Sequence, residues 1–283
     1  EGTFGKSLDG GGAGDCVSQK GAPVQYHASV EAGAEDGDTD VDADRAGTTL
    51  SGSHSMNSIS VVTPVFNGER YLAEALNSIR SQTVPPSEVI VVNDGSTDRS
   101  TQIASSFAGV RCLEIAHAGV GAARNHGVRA ANGTFLTFLD ADDVWLPQTL
   151  EFLLPPLLAD PRLDAVFGGV EHFFSEDCSD EVRRKYFVQN RASGGKLCGA
   201  MLIRTEAFRR AGKFEENHSV DFIGWYLRAQ EAKLRMTSIE PVVLRRRIHG
   251  NNTTIRRQEE LQEGYLTMLR ESLARRRGAG GTA

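Results

Sequence analysis

Three carboxylates stand close together near the middle of the chain, in the run Leu139-Asp140-Ala141-Asp142-Asp143. They directly follow residues 134–138, an apolar and β-branched stretch that predicts a buried strand. Ligands of open α/β sheets bind beyond the carboxyl ends of the strands. Carboxylates at Asp140 and Asp142 can therefore converge on a hard divalent cation, which prefers oxygen ligands and commonly holds a diphosphate. A solvated acidic turn that caps the next helix is the alternative explanation of the same residues.

A second polar segment, residues 93–98, follows the predicted strand Glu88–Asn93. Its Gly95 permits a tight turn, and the Ser, Thr and Asp residues after it can cap a helix. The Asp94 carboxylate can accept hydrogen bonds from a nucleotide base or a ribose. Taken alone, helix capping explains this segment as well as ligand binding does.

The charge of the chain is concentrated at its beginning. The formal net charge of the 283 residues is −6. Residues 1–55 contain ten acidic and three basic residues, whereas the rest contains 27 acidic and 28 basic residues. No basic field extends over the main part of the chain, so we expect no nucleic-acid partner.

Residues 1–55 are rich in Gly, Asp, Ala, Ser and Thr, and they hold few large apolar groups. Such a segment cannot bury enough apolar surface to offset the loss of chain entropy, so we predict that it is disordered. Residues 52–56, Gly-Ser-His-Ser-Met, resemble an expression-tag remnant, and the alternative is that Met56 is the natural start.

The four cysteines, at positions 16, 112, 178 and 198, match neither a metal knuckle nor a disulfide framework. Reduced thiols and a cytoplasmic location are the expectation. No apolar run approaches the roughly 20 residues that span a bilayer, and no signal peptide is visible. The run Arg275-Arg276-Arg277 makes the end of the chain basic, which fits either a solvated helix or peripheral contact with the inner face of an anionic membrane.

Strand and helix patterns alternate with short connections from residue 59 onward, which predicts an α/β fold with a mostly parallel sheet covered by helices on both faces. The expected strands are 59–63, 88–93, 110–115, 134–138, 165–174 and 242–248. The expected helices are 70–81, 98–107, 121–131, 147–158, 206–211, 221–232 and 257–276, and residues 175–195 read as polar and irregular.

Four segments in this order resemble the signature of glycosyltransferase family 2. They are VVTPVFNGERYL at 61–72, VVNDGSTD at 91–98, ARN at 123–125 and FLDADD at 138–143. The resemblance covers about residues 57–255. It implies a Rossmann-like GT-A fold and an inverting transfer of a sugar from a nucleoside diphosphate to an acceptor hydroxyl.

The resemblance also assigns roles on the donor side. The first strand-end loop, which contacts the nucleotide in the family, holds Thr63, Pro64, Phe66 and Glu69 here, with Phe66 where many relatives have Tyr. Asp94 matches the carboxylate that reads the base, commonly uracil, which implies a UDP-sugar donor. Uracil presents an N3–H that this carboxylate can accept, and cytosine does not.

Four further positions carry over from the family. Arg124 matches a basic residue near the nucleotide. Asp140 and Asp142 match the DxD motif, which places Asp142 at a Mn²⁺ or Mg²⁺ ion and Asp140 near the ribose or the metal. Residues 245–254 resemble a late motif whose histidine, here His249, approaches the metal or diphosphate; a purely structural histidine is the alternative.

The acceptor side is matched less completely. Residues 212–225 resemble a motif in which an acidic pair precedes an aromatic helix, but Val220 occupies the first acidic position. Asp221 is then the candidate general base, unless it only starts a helix. Trp225 fits either stacking on a sugar or core packing.

The implied organisation is a disordered segment at 1–55, a GT-A domain at 56–256, and a C-terminal helix and basic tail at 257–283. Residues 56–147 would form the nucleotide-sugar half and residues 148–256 the acceptor half. The acceptor itself, whether a glycan, a lipid-linked sugar, a peptide or a small molecule, is not identified, and its specificity would lie in residues 172–220.

Other functions fit the motifs less well. The run 119–124, GVGAAR, is similar to the dinucleotide-binding fingerprint of a dehydrogenase. Arg124 replaces the third glycine of that fingerprint, however, and the run lies too late in the sheet. A sugar nucleotidyltransferase lacks support because no Gly-rich, Lys-bearing loop follows the first strand. A catalytically silent nucleotide-sugar-binding protein remains the alternative, and turnover of a nucleotide sugar would distinguish it from an enzyme.

Overall fold

The computed structural model describes residues 57–185, 196–216, 221–252 and 258–279. The disorder predicted for residues 1–55 lies outside these ranges. In the described part, no helix is both long and apolar enough to cross a membrane.

The described strands form one sheet in the order β3-β2-β1-β4-β7-β6-β8-β5. They are β1 (Ile59–Val65), β2 (Glu88–Asn93), β3 (Val110–Glu114), β4 (Phe135–Phe138), β5 (Val144–Trp145), β6 (Ala165–Phe174), β7 (Met201–Arg204) and β8 (Met236–Ile248). The described helices are α1 (Leu72–Arg80), α2 (Ser100–Ser106), α3 (Val120–Ala130), α4 (Thr149–Ala159), α5 (Asp180–Lys185), α6 (Thr205–Ala211), α7 (Asp221–Glu231) and α8 (Gln258–Ala279).

The first half of the sheet is parallel, as the alternating pattern predicts. Strand β1 pairs in parallel with both β2 and β4, and β2 pairs in parallel with β3. Every residue of β1 is buried, because a central strand of a parallel sheet is covered on both faces. The carboxyl ends of these four strands therefore meet at one edge.

The second half of the sheet is mixed. Strand β7 is antiparallel to both β4 and β6, β8 is parallel to β6, and β5 is antiparallel to β8. The sequence did not predict β5 and β7, which have only two and four residues. Strand β8 also begins six residues before its predicted start.

Helices cover the sheet on both faces, as predicted. One apolar cluster joins the sheet to α1 and α4 and includes Leu76 and Leu153. The other joins it to α3, α6 and α7 and includes Ala123, Phe208 and Trp225. These two layers fix the helix starts relative to the strand ends.

One helix differs from the sequence-based expectation, and a predicted helix makes a contact that the sequence did not indicate. Helix α5 lies inside a segment predicted to be irregular, of which residues 186–195 lie outside the described ranges. The predicted charged helix α8 packs on α7, where its Met268 is buried against Gly224. Arg275 of the basic end bonds Glu231 of α7 at 2.9 Å, so this arginine is engaged within the protein. Contact with a membrane stays a prediction.

Candidate active site

The two loops that follow β1 and β2 are joined by reciprocal hydrogen bonds. The Asn67 amide donates to Ser96 Oγ at 2.9 Å, and the Thr97 amide donates to Asn67 Oδ1 at 2.8 Å. Asn67 has a φ of 49°, a left-handed conformation that asparagine tolerates well. Asp98 accepts the Glu69 amide and, at the start of α2, the Ser100 amide, both at 2.9 Å. The predicted capping role of this segment is therefore present.

The four residues assigned to nucleotide contact differ in exposure. Thr63 and Pro64 are buried in β1, and Thr63 Oγ1 has no hydrogen-bond partner within the described residues. Phe66 is 48% exposed at the strand end. Glu69 accepts a hydrogen bond from Arg99 Nε at 3.0 Å, which lowers the pKa of the Glu69 carboxyl.

Asp94 is buried and organises the loop that follows β3. Its Oδ1 accepts the Ala118 amide at 2.7 Å, and its Oδ2 accepts the Gly119 amide at 2.9 Å. Gly119 has a φ of 92°, which a residue with a side chain rarely adopts. His117 Nδ1 lies 3.0 Å from Asp94 Oδ2.

His117 was not identified from the sequence. Its ring stacks on Phe66 with a centroid distance of 4.1 Å, and the two rings stand beside Asp94 at the open edge of the sheet. The sequence did contain a signal for His117, because this residue lies three positions after the end of β3, and β3 is the neighbour of β2. Residues after adjacent parallel strands lie at the same edge.

Arg124 links the end of β4 to the start of α7. It is a buried residue of α3, and its Nη2 donates to Asp140 Oδ1 at 2.5 Å while its Nη1 donates to Asp221 Oδ2. Burial alone would lower the pKa of Arg124, but the two carboxylates outweigh it and raise that pKa. Burial raises the pKa of Asp221, and Arg124 opposes this effect only in part.

A glycine lets these groups approach. Gly121 lies in the first turn of α3, directly against the backbone of Glu215. A Cβ atom at Gly121 would overlap the Glu215 carbonyl oxygen and lie 3.2 Å from Asp221 Cβ. The absence of a side chain at this position therefore allows the start of α7 to lie beside α3.

The predicted metal carboxylate Asp142 is held by the segment after β8. Asp142 Oδ2 lies 3.0 Å from His249 Nε2 and accepts a hydrogen bond from Asn252 Nδ2 at 3.1 Å. The Asn251 amide donates to His249 Nδ1 at 3.2 Å. A neutral imidazole that accepts at Nδ1 carries its proton on Nε2, so His249 donates to Asp142. Asn252 lies in the late motif but received no role from the sequence.

The next carboxylate, Asp143, faces inward. It is buried, and its Oδ1 accepts the Arg247 amide at 2.9 Å. Burial, with the negative charges of Asp142 and Asp140 added, raises the pKa of Asp143 well above its ordinary value. Of the three acidic residues in the run, this one supports the loop from inside.

The side chains at this edge of the sheet provide only some of the ligands that a divalent cation needs. Within the described ranges, no group of three or more His, Cys, Asp or Glu side chains is arranged to hold a metal ion. Asp140 and Asp142 supply carboxylate oxygens at the half-exposed end of β4. Mg²⁺ is commonly bound by one or two carboxylates together with substrate phosphates and waters, so these residues fit a cation whose other ligands come with the substrate.

Trp225 packs in the core. The sequence left sugar stacking and core packing open, and the structure decides for packing, because Trp225 is fully buried and stacks on Phe208 with a centroid distance of 5.3 Å.

Described cysteines 112, 178 and 198 form no disulfide.

Comparisons with known proteins agree with this architecture. An uncharacterized glycosyltransferase of Rickettsia typhi is 29% identical over 75% of this chain and 72% of its own. YibD, an uncharacterized glycosyltransferase of Escherichia coli, is 39% identical over 53% of this chain but 44% of its own.

Among solved structures, residues 1–349 of Staphylococcus aureus TarS with UDP-GlcNAc superimpose with a TM-score of 0.56 at 20% identity, over 69% of this chain and 60% of that one. The mannosyltransferase PcManGT from Pyrobaculum calidifontis, with GDP-Man and Mn²⁺, gives a TM-score of 0.59 at 23% identity, over 75% and 64%. The chain thus spans less than two thirds of these structures, which are similar to it in fold.

The sequence pattern that defines Glycosyl transferase family 2 matches residues 60–233, more than half of the chain. This stretch contains the four strand ends, Arg124 and the start of α7. The chain belongs to glycosyltransferase family 2.

Proposed function

We propose that this glycosyltransferase inverts the anomeric configuration as it moves a sugar from a UDP-sugar to an acceptor hydroxyl, with Asp221 as the general base. One observation carries the proposal: the Arg124 guanidinium bonds both Asp140, at the end of donor strand β4, and Asp221, at the start of α7. One side chain thereby sets the distance between the donor and acceptor carboxylates.

Inversion is a single in-line displacement at the anomeric carbon. The acceptor oxygen forms the new bond on the face opposite the diphosphate, its proton passes to the Asp221 carboxylate, and the diphosphate leaves with the electrons of the broken bond. Burial raises the pKa of Asp221, which brings it nearer to the pKa of an efficient base at neutral pH. Arg124 keeps its orientation fixed before the reaction.

The leaving diphosphate requires positive charge. Asp142, together with Asp140, is the proposed holder of Mn²⁺ or Mg²⁺, and such an ion, when bound, neutralises the charge on the departing oxygen. His249 supports Asp142 through its Nε2. A direct bond from His249 to the ion would require Nε2 to give up its proton and its contact with Asp142.

Uridine is the proposed base of the donor. The Asp94 carboxylate can accept the N3–H of uracil at Oδ1, which keeps a lone pair beyond the one used by the Ala118 amide, whereas Oδ2 faces both the Gly119 amide and His117 Nδ1. Phe66 offers a flat, half-exposed surface beside it. TarS is described with UDP-GlcNAc and PcManGT with GDP-Man, so guanosine is the main rival together with thymidine.

A thermal-shift panel of UDP, dTDP, GDP, CDP and ADP with Mn²⁺ tests the donor assignment. A ligand that binds only the folded state raises the melting temperature, and UDP should raise it most. Asp94→Ala should remove the difference between UDP and CDP. Asp98→Ala is the matched control, because it loosens the same pair of loops without removing the proposed base contact.

A larger shift with GDP or CDP than with UDP in the wild-type protein would contradict the role of Asp94. Release of UDP from a UDP-sugar in the presence of an acceptor distinguishes an enzyme from a silent binding protein. Binding of UDP without turnover of any donor would leave only the binding function.

A further inference from the structure

Arg247, near the end of β8, contacts the carboxylate loop from behind. Its Nε donates to the Asp142 carbonyl oxygen at 2.9 Å, and its amide donates to Asp143 Oδ1 at 2.9 Å. Its own carbonyl accepts a hydrogen bond from Asn252 Nδ2, the group that also bonds Asp142 Oδ2. The backbone of Asp142, its side chain and the neighbouring carboxylate are thus tied to one residue.

The Arg247 guanidinium has little freedom to move. Its Cζ lies 4.6 Å from the centroid of the Tyr71 ring and 4.6 Å from that of the Phe173 ring. Its Nη2 bonds Glu74 Oε2 at 2.6 Å, and the side chain is only 8% exposed. A planar cation stacked between rings with donors in fixed directions cannot be replaced by lysine without loss of these contacts.

These contacts set the direction of the Asp142 side chain. Rotation of the 140–143 loop would break the bond to its carbonyl oxygen and the bond to Asp143 together. Residues that orient a metal-binding carboxylate affect cation affinity even though they do not touch the ion. We propose that Arg247 is a positioning residue that sets the divalent-cation affinity of Asp142 when nucleotide is bound, an inference that rests on the proposed donor chemistry.

Arg245 provides a matched control on the same strand. It also stacks on Phe173, with its Cζ 4.5 Å from the ring centroid, but its carboxylate partner is Glu171 at 3.7 Å. Arg245 therefore lies on the same strand as Arg247 and stacks on the same Phe173 ring. Its carboxylate partner, Glu171, belongs to β6 and not to the carboxylate loop. Substitution of Arg245 therefore shows how the loss of an arginine from this strand affects UDP binding when the carboxylate loop keeps its contacts to Arg247.

Calorimetric titration with UDP, performed once with Mn²⁺ and once with EDTA, tests the proposal without use of an acceptor. The measured quantity is the ratio of the Kd in EDTA to the Kd in Mn²⁺, which isolates the cation-dependent part of binding. Arg247→Lys and Arg247→Ala should lower this ratio about tenfold, the lower end of the effect of losing an outer-shell partner. Arg245→Lys and Arg245→Ala should leave it unchanged.

Glu74→Ala keeps the test valid if the Arg247 variants fold poorly. Glu74 is 55% exposed and touches the guanidinium from outside, so its removal should lower the ratio by about two- to threefold, the size expected for a half-exposed ion pair. A wild-type ratio in folded Arg247→Lys would overturn the proposal, and so would a wild-type ratio in Glu74→Ala if the Arg247 variants do not fold. Equal weakening of UDP binding with Mn²⁺ and with EDTA would also overturn it, because a general structural loss acts in both conditions.

The wild-type titration separates this inference from the proposed function. A wild-type protein that does not bind UDP, or binds it equally with and without Mn²⁺, refutes the donor chemistry and this inference with it. A wild-type protein with a clear Mn²⁺ effect that the Arg247 variants retain refutes the role of Arg247 alone.

Discussion

Asp221→Asn separates the chemical role of the proposed base from its structural role. Asparagine has nearly the same shape, and its Oδ1 can still accept the hydrogen bond from Arg124. Arg124 also keeps its 2.5 Å bond to Asp140. The substitution therefore preserves the local geometry and removes the ability to take a proton.

The two expected magnitudes differ widely. Loss of a general base lowers kcat by about 10²- to 10⁴-fold, equivalent to roughly 3–5.5 kcal/mol of transition-state stabilisation. Folding should change little. Burial raises the pKa of Asp221 despite the nearby Arg124, so the ionised carboxylate opposes folding, and a neutral amide relieves this cost. We expect the free energy of unfolding at pH 7 to stay within about 1 kcal/mol of wild type.

The pH dependence of the unfolding free energy tests independently whether the pKa of Asp221 is raised. Because the folded pKa of Asp221 lies above its unfolded value, wild-type protein is favoured below the ordinary aspartate pKa and loses that stability as pH rises through the folded pKa. Asp221→Asn has no such loss. The unfolding free energy of the variant minus that of wild type should therefore increase with pH.

The assay combines UDP release with acceptor present, UDP titration with Mn²⁺, and urea unfolding between pH 4 and 8. Glu151→Gln is the control, because Glu151 is also an acidic residue in the first turn of a helix but is exposed and lies outside the proposed site, and it should keep wild-type turnover. Wild-type turnover in Asp221→Asn would remove the base assignment. A loss of activity that only follows a loss of folded protein would mean that Asp221 serves the helix rather than the reaction.

Three further outcomes are expected. Excess chelator should stop turnover and added Mn²⁺ should restore it, so full activity in chelator would contradict the cation role. Gly121→Ala should destabilise the fold by about 1–3 kcal/mol in urea unfolding, because its Cβ would overlap the Glu215 carbonyl oxygen. Gly250→Ala, with no atom within 4 Å of its Cβ, should change little. A chain that starts at Met56 should melt and transfer sugar as the full chain does, and a large loss would show that residues 1–55 contribute to the domain.

Much of the fold could be predicted because its elements have strong local patterns. Continuous apolar runs predicted β1, β2 and β6, and helical spacing of apolar residues predicted α1 within two residues of each end. Strands β5 and β7 were missed because two and four residues do not establish a period. They exist because neighbouring strands offer them unpaired backbone groups.

For the site, the sequence by itself determined the chemical groups and the edge at which they lie. Strand ends after parallel strands share that edge, so Asp94 and the 140–143 run were predictable candidates. Their partners were not, since the bond of Arg124 to Asp221 joins residues 97 positions apart and that of Arg247 to the Asp142 carbonyl joins residues 105 apart. Such contacts depend on how α3, α7 and β8 pack against one another.

The tertiary structure also decided the role of Trp225, for which the sequence left two readings equal. Trp225 has the aromatic face of a sugar platform, but packing between α6 and α7 buries it completely. For His249 the structure adds the hydrogen-bond partners that the sequence could not give, because the Asn251 amide donates to Nδ1 and Nε2 faces Asp142. Residue type sets what a side chain can do, whereas burial and hydrogen-bond partners, which depend on distant segments, select which of these it does.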